Sequence, residues 1–222
     1  MIKLLSILQR KSDLDVDSFQ HHWRGQHAEI VSRLPGLRRY IQSHTLVSGY
    51  AKGQPAADGI AELWFDDSAA LRALENSDEL VAVRNDELKF IDPRRHQQLY
   101  ITEHVIKDGA IPADGVKNVE FVTRRPDLSV AEFQRHWRET HGPLGAAIET
   151  VSRYVQNHAR DSSYRDGRQP EFDGVAITWF ENTNAMRASA SSEAYAVTRA
   201  DEKNFVTIPL DFIITREHVI IA

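Results

Sequence analysis

The chain is written twice. LDVDSFQHHWRGQH (14–27) lies over LSVAEFQRHWRETH (128–141) at an offset of 114, where Phe19, Gln20, His22, Trp23, Arg24 and His27 meet identical residues at Phe133, Gln134, His136, Trp137, Arg138 and His141. The same offset pairs RRYIQSH (38–44) with SRYVQNH (152–158). One residue then enters a loop, and at 115 DGIAELWF (58–65) meets DGVAITWF (173–180), while Arg84, Asp86, Glu87 and Phe90 meet Arg199, Asp201, Glu202 and Phe205. The offset returns to 114 where EHVI (103–106) meets EHVI (217–220). Two copies of this length are unlike a solenoid, whose repeats are shorter and more numerous, so a whole domain has been duplicated. The domains are expected at 1–108 and 115–222, around the Gly-, Pro- and Asp-rich joint KDGAIPADGVK (107–117).

Each copy reads as β-α-β-β-α-β. LLSIL (4–8) and VEFV (119–122) are short apolar runs expected to be buried strands. A helix follows, begun by Asp15 in the first copy and by a Ser129/Glu132 capping box in the second. Phe19, Trp23, Ile30, Val31 and Leu34 make its apolar stripe, and Leu34-Pro35-Gly36 stops it. In the second copy His141-Gly142-Pro143 predicts a kink. Strands are expected at 39–47, 59–65 and 99–106, with helices at 68–75 and 78–90. This is the split βαβ order of ferredoxin-like folds, an α+β class. A sheet covered by helices on one face needs a partner for the other. The two units therefore predict an internal pseudo-dimer; the alternative is two independent domains on a linker.

Composition narrows the partners. A net charge of −5 gives no electrostatic reason to expect nucleic acid or an anionic membrane, and no apolar run is long enough to span a bilayer. The absence of cysteine removes disulfides, thiolate metal sites and thiol nucleophiles. MIKLLSILQRK is too short and too charged for a signal peptide, so a soluble cytoplasmic protein is expected. Nothing resembles a Gly-rich dinucleotide fingerprint or a phosphate loop, which disfavours nicotinamide and nucleotide cofactors.

The segment HHWRGQHAEI…LPGLRRYIQSH resembles the EthD family: Phe, then a His-Trp pair, then a His on the same helix, then Pro-Gly-Leu before a Tyr-bearing strand. DGIAELWF, the Asp-Glu…Phe helix and the terminal EHV extend the match over nearly the whole unit. The second copy matches too, except that Glu149-Thr150 stand in place of Pro35-Gly36. The resemblance implies the dimeric α+β-barrel fold and a small organic ligand held between helices and sheet. The wider superfamily includes lactone isomerases, polyketide cyclases and monooxygenases, dehydratases and haem-using relatives, so the fold leaves the chemistry open.

Several side chains can carry that chemistry. His27 and His141 follow the stripe tryptophans Trp23 and Trp137 by four residues, so they should point inward, as acid/base groups or as hydrogen-bonded core histidines. His22 and His136 are read as structural or rim residues. The i, i+5 spacing of His22 and His27 puts them about 140° apart on an α-helix, which disfavours a shared metal. Tyr40, Gln42 and His44 share one face of a strand, as do Tyr154, Gln156 and His158, and that face either lines a pocket or meets the other unit. Tyr40 and Tyr154 can donate to a carbonyl or developing enolate. His104 and His218 point away from the neighbouring Glu103 and Glu217, so Asp86 and Asp201 are their expected carboxylate partners. Ile177 and Thr178 opposite Glu62 and Leu63 suggest that the two copies have diverged.

The reading that follows is a cofactor-independent enzyme moving a proton in a small, mostly apolar carbonyl or lactone compound, by isomerisation, dehydration, cyclisation or a lyase step. His27, His141, Tyr40, Tyr154, His104, His218, Asp86 and Asp201 form the catalytic set, with Trp23, Trp137, Gln42, His44, Gln156 and His158 contacting substrate. No metal is expected. The alternatives are a non-catalytic binding protein of a degradation pathway and a haem-dependent oxidoreductase with an inward His as axial ligand. Pairing of the whole chain into a homodimer is compatible with either.

Overall fold

The first copy forms β1 (Ile2–Leu8), α1 (Val16–His22), a π-helical turn at Trp23–His27, α2 (Ala28–Val31), β2 (Leu37–Thr45), β3 (Gly59–Phe65), α3 (Ser68–Leu74), α4 (Asp78–Phe90) and β4 (Gln97–Lys107). The second repeats the series as β5 (Val116–Val122), α5 (Val130–His136), a π-helical turn at Trp137–His141, α6 (Gly142–Ala146), β6 (Val151–Ala159), β7 (Gly174–Phe180), α7 (Thr183–Ser189), α8 (Glu193–Glu202) and β8 (Asp211–Ile221). This is a computed structural model describing residues 1–222. The fold is α+β: two ferredoxin-like units in tandem, of the dimeric α+β-barrel type.

One compact unit comprises Met1–Tyr100 with Glu217–Ala222, and the other Ile101–Arg216. In the first, β3 runs antiparallel between β1 and β2, with Leu63 opposite both Leu4 and Tyr40. Its core gathers Phe19, Trp23, Val31, Leu63, Phe65 and Phe90, and the chain's end adds Ile220 and Ile221. In the second, the antiparallel order is β8-β5-β7-β6-β4, and β4 contributes Ile101–Lys107. No helix is long and apolar enough to cross a membrane.

The first helix of each copy is capped as its sequence predicts. Ser18 N–H donates to Asp15 Oδ1 at 2.8 Å, and Ser129 and Glu132 form the reciprocal box. The irregularity at this point is a π-helical turn, present also in the first copy where no proline occurs, so proline is not its cause; Pro143 follows it as the second residue of α6.

Candidate functional site in the first unit

A cavity of about 690 Å³ lies between one face of the first sheet and the helices that cover it. Leu4, Ser6 and Leu8 of β1 line it together, as alternation along a strand requires. Leu34, Leu63 and Leu80 make much of the remaining wall. Into this space project His27, Tyr40, Glu75, Arg84, Glu87 and His96, so polar and apolar groups share the lining about equally. Its size and its convergent polar groups are those of a small-molecule site.

His27 is buried and its Nδ1 lies 2.9 Å from Asp86 Oδ2. His22 Nε2 reaches the same oxygen at 3.0 Å. On an α-helix these imidazoles would diverge; the π-helical turn at Trp23–His27 adds a residue to the turn and returns i and i+5 to one side. The 140° separation expected of His22 and His27 on a regular α-helix is therefore corrected: both reach one carboxylate. A phase slip marks the insertion in the sequence, because the buried positions run Phe19, Trp23, Ala28, Val31. Burial works against ionisation of Asp86, yet hydrogen bonds from Lys89, His27 and His22 hold it below its ordinary value. The carboxylate can only accept, so His27 Nδ1 carries the proton and Nε2 keeps a lone pair. Burial lowers His27 to about 4 against the pull of Asp86, leaving a neutral imidazole at neutral pH. No group of three or more His, Asp or Glu side chains is arranged to hold a metal ion.

Tyr40, Gln42 and His44 face the helices. Gln42 Nε2 donates to Trp23 O at 2.8 Å and to Tyr40 Oη at 2.7 Å, and its Oε1 lies 2.9 Å from His44 Nε2. The His44 ring stacks on Trp23 at 4.2 Å. Tyr40 and Trp23 line the cavity, whereas Gln42 and His44 stand behind them. Burial raises the Tyr40 phenol out of the range in which it ionises, so it acts only as a neutral hydrogen-bonding group.

Glu87 is the residue that the sequence reading passed over as a site member. It lines the cavity, and burial pushes it up to about 7 against the pull of Arg84. A signal existed: Leu80, Val83, Glu87 and Phe90 follow helical spacing, which puts a carboxyl inside an apolar stripe. His96 was also missed; it contacts Ser6 Oγ at 2.6 Å, and burial lowers its pKa. Because Glu87 is raised above its ordinary 4.5, the folded state holds a proton that the unfolded chain releases between those values. Stability from this group is complete below the lower value and is lost as pH rises through the higher one. Urea midpoints should thus show Glu87→Gln more stable than wild type by about 1–3 kcal/mol at pH 8, with no gain at pH 4.

The second unit keeps the dyad but not the surroundings. His141 Nδ1 lies 3.1 Å from Asp201 Oδ2, and His136 Nε2 lies 3.1 Å from each Asp201 oxygen. The counterparts of Leu4, Ser6 and Leu63 are Asn118, Glu120 and Thr178. Arg199 Nη1 pairs with Glu202 Oε1 at 2.6 Å and lies 3.6 Å from Glu120 Oε1. Burial raises both acids, Glu202 to about 7. Tyr154 Oη accepts from Gln156 Nε2 at 3.0 Å and from Trp137 Nε1 at 3.3 Å, and His158 stacks on Trp137 at 4.3 Å.

The terminal histidines stand apart from these dyads. His218 packs edge-on to His44 at 4.7 Å, where both line a separate pocket of about 380 Å³ with Arg24 and Gly25. His104 packs against His158 at 4.6 Å. The expected pairing of His104 and His218 with Asp86 and Asp201 is corrected, because the π-helical turns give both carboxylates to the histidines of the first helices.

The EthD domain model matches twice, over residues 11–94 and 125–209. No curated protein matches the chain. Among solved structures, an anthrone oxidase-like protein superposes with a TM-score of 0.66 at 11% identity, covering 99% of this chain and 93% of that one. A protein described as a monooxygenase from Lactobacillus acidophilus NCFM gives 0.58 at 10% identity over 98% and 94% of the two chains. One described as the chlorite dismutase TA0507 gives 0.56 at 12% identity over 98% and 95%. At these identities the likeness is one of fold.

Proposed function

The chain belongs to the EthD-domain family, and from that premise we propose that its first unit is a cofactor-independent enzyme transferring a proton within a small, mostly apolar carbonyl or lactone compound. The observation that carries this reading is a neutral His27, held through Nδ1 by Asp86 with Nε2 unbonded, at the wall of a cavity that also contains Glu87. Asp86 fixes the His27 tautomer and would stabilise the imidazolium formed when Nε2 takes a proton. A carboxyl that titrates near neutrality can give or take a proton with little driving force lost, and Glu87 has that property. With proton donor and acceptor on one cavity, a proton can leave one atom of the substrate and return to another, as isomerisation, dehydration and cyclisation require. His141, Tyr154, Asp201 and Glu202 repeat part of the set in a more polar setting, which supports a diverged second unit rather than a duplicate active site.

A haem is a poorer fit. Its two propionates would enter a lining that holds Glu75 and Glu87 and whose one full cation, Arg84, already interacts with Glu87, beside imidazoles that burial keeps neutral. Purified protein mixed with hemin tests this: a saturable Soret shift lost in His27→Gln would favour the haem reading.

The proton-transfer reading is tested without knowing the product. Incubating the protein in deuterium oxide with a panel of small ketones, 1,3-dicarbonyls and lactones should wash deuterium into the α-carbon of at least one of them above the buffer rate. The rate should fall about a hundredfold in His27→Gln and in Glu87→Gln. Equal wash-in by the wild type and both variants rejects the assignment. Binding with no exchange anywhere in the panel favours a non-catalytic binding protein.

A further inference from the structure

We propose that Lys89 is a positioning residue of the first unit: its ammonium, anchored on Asp86, restrains His27 from taking up a proton, and the neutral Asn204 lifts that restraint from His141 in the second unit. The inference rests on the reading of His27 as the group that receives the proton, and Lys89 itself stands outside the cavity lining.

Asp86 divides its two oxygens between unlike partners. Helix α4 carries Lys89 three residues beyond Asp86, close enough for Nζ to donate to Oδ1 at 2.9 Å. Oδ2 takes both imidazoles, His27 Nδ1 at 2.9 Å and His22 Nε2 at 3.0 Å. The Lys89 side chain is 58% exposed and that of Asp86 only 1%. The ammonium therefore keeps much of its hydration while its charge bears on a carboxylate that has lost its own. Asn204 is the counterpart of Lys89 at the offset of 115 that pairs the two helices. Its Nδ2 donates to Asp201 Oδ1, also at 2.9 Å, and His141 again reaches Oδ2. Between the units the hydrogen bond is kept and only the charge is lost.

An imidazolium at His27 would depend on Asp86 for its stabilisation. A cation on the same carboxylate opposes this twice, by repelling the new charge and by offsetting the negative charge that would welcome it. Water around the exposed ammonium screens the effect to about a three- to tenfold change in the protonation equilibrium. Other charges also bear on the two rings. His27 is faced by His22 from α1, Arg84, Asp86 and Glu87 from α4, Glu75 after α3 and His96 before β4. His141 is faced by His136 from α5 and by Asp201 and Arg199 from α8, and Arg199 in turn holds Glu202 and Glu120 of β5. Because these surroundings differ, the part played by one charge is isolated only by exchanging Lys and Asn between the units.

Histidine labelled with ¹⁵N reports the ionisation of each ring directly. Wild-type His27, lowered to about 4 by burial, should be almost wholly neutral in a spectrum recorded at about pH 5.5. Lys89→Asn should raise its imidazolium fraction about three- to tenfold, and Lys89→Arg, which keeps the charge, should stay close to wild type. Asn204→Lys should lower the imidazolium fraction of His141 and leave His27 unmoved. Asn at 89 can supply the hydrogen bond that Asn204 makes, so a purely structural role for Lys89 predicts no change in His27.

An unmoved His27 in Lys89→Asn, an equal rise in Lys89→Arg, or an unmoved His141 in Asn204→Lys would each overturn the proposal. In the deuterium wash-in assay, the pH below which exchange fades should rise in Lys89→Asn but not in Lys89→Arg, and an acid limit that stays in place would overturn it as well. The ¹⁵N changes without exchange on any compound would leave the role of Lys89 standing and remove only the proton-transfer reading.

Discussion

Acidification from pH 7 to pH 4 should strip most of the folding stability from this protein, and His44 and His158 should carry the loss. Both imidazoles are almost completely buried. Burial lowers each to about 3, with further lowering from His218 and Arg24 at His44 and from His104 and Arg138 at His158. Gln42 and Gln156 hold each ring through Nε2, and Trp23 and Trp137 cover its face, so neither ring meets a carboxylate that would welcome its charge. The unfolded chain takes up these protons near the ordinary value of 6.5, whereas the folded state resists them. Stability from each group is therefore complete above that value and is lost as pH falls toward the folded one. The loss is on the order of 4 kcal/mol per imidazole, and the pair approaches the whole stability of an ordinary domain. His27, lowered to about 4, adds in the same direction. Urea midpoints from pH 7.5 to 4 measure this. Gln at either position can still donate to the glutamine carbonyl but cannot titrate, so His44→Gln and His158→Gln should start less stable and fall along a flatter slope. Curves parallel to wild type would show that these histidines do not control acid unfolding.

The duplication, the βαββαβ order and the caps are legible because they rest on residues that act locally. Asp15 caps its own helix, Ser129 and Glu132 satisfy each other, and the apolar runs that became β1 and β5 need only their own composition. The site is less legible because it depends on a single inserted residue in a helix. Reading Trp23–His27 at 3.6 residues per turn separates His22 from His27, while the π-helical turn brings both to Asp86. Strand alternation, which turns Glu103 and Glu217 away from His104 and His218, is what points instead to Asp86 and Asp201 as partners of the terminal histidines. Glu87 was overlooked for a different reason. A carboxylate on an apolar stripe looks like a boundary of the stripe until the cavity beside it is seen. The strand face bearing Tyr40, Gln42 and His44 could not be chosen from alternation alone; the Trp23 carbonyl and indole decide it by giving Gln42 an acceptor and His44 a stacking surface.

Trp23→Ala and Trp137→Ala should each destabilise the protein by about 3–5 kcal/mol, the usual cost of deleting a buried aromatic ring. Trp23 is fully buried and Trp137 is 1% exposed. Each ring sits directly on a glycine of the sheet: a Cβ on Gly59 would stand 2.5 Å from Trp23 Cζ3, and one on Gly174 would stand 2.6 Å from Trp137 Cζ3. The DG pairs that open β3 and β7 are thus part of the tryptophan site. The two losses should differ. Both indoles lie against a tyrosine phenol, but the Trp23 ring already borders a cavity. Trp137→Ala should therefore cost more, by about 1 kcal/mol. A double-mutant cycle isolates the ring-on-glycine contact. Gly59→Ala alone meets the ring and also Ser43 O at 2.6 Å, so it should destabilise by about 1–3 kcal/mol. In a Trp23→Ala background the ring is gone and only the carbonyl remains, so the same substitution should cost at least about 1 kcal/mol less. Strict additivity would mean that strand geometry alone, and not the tryptophan, dictates glycine at this position.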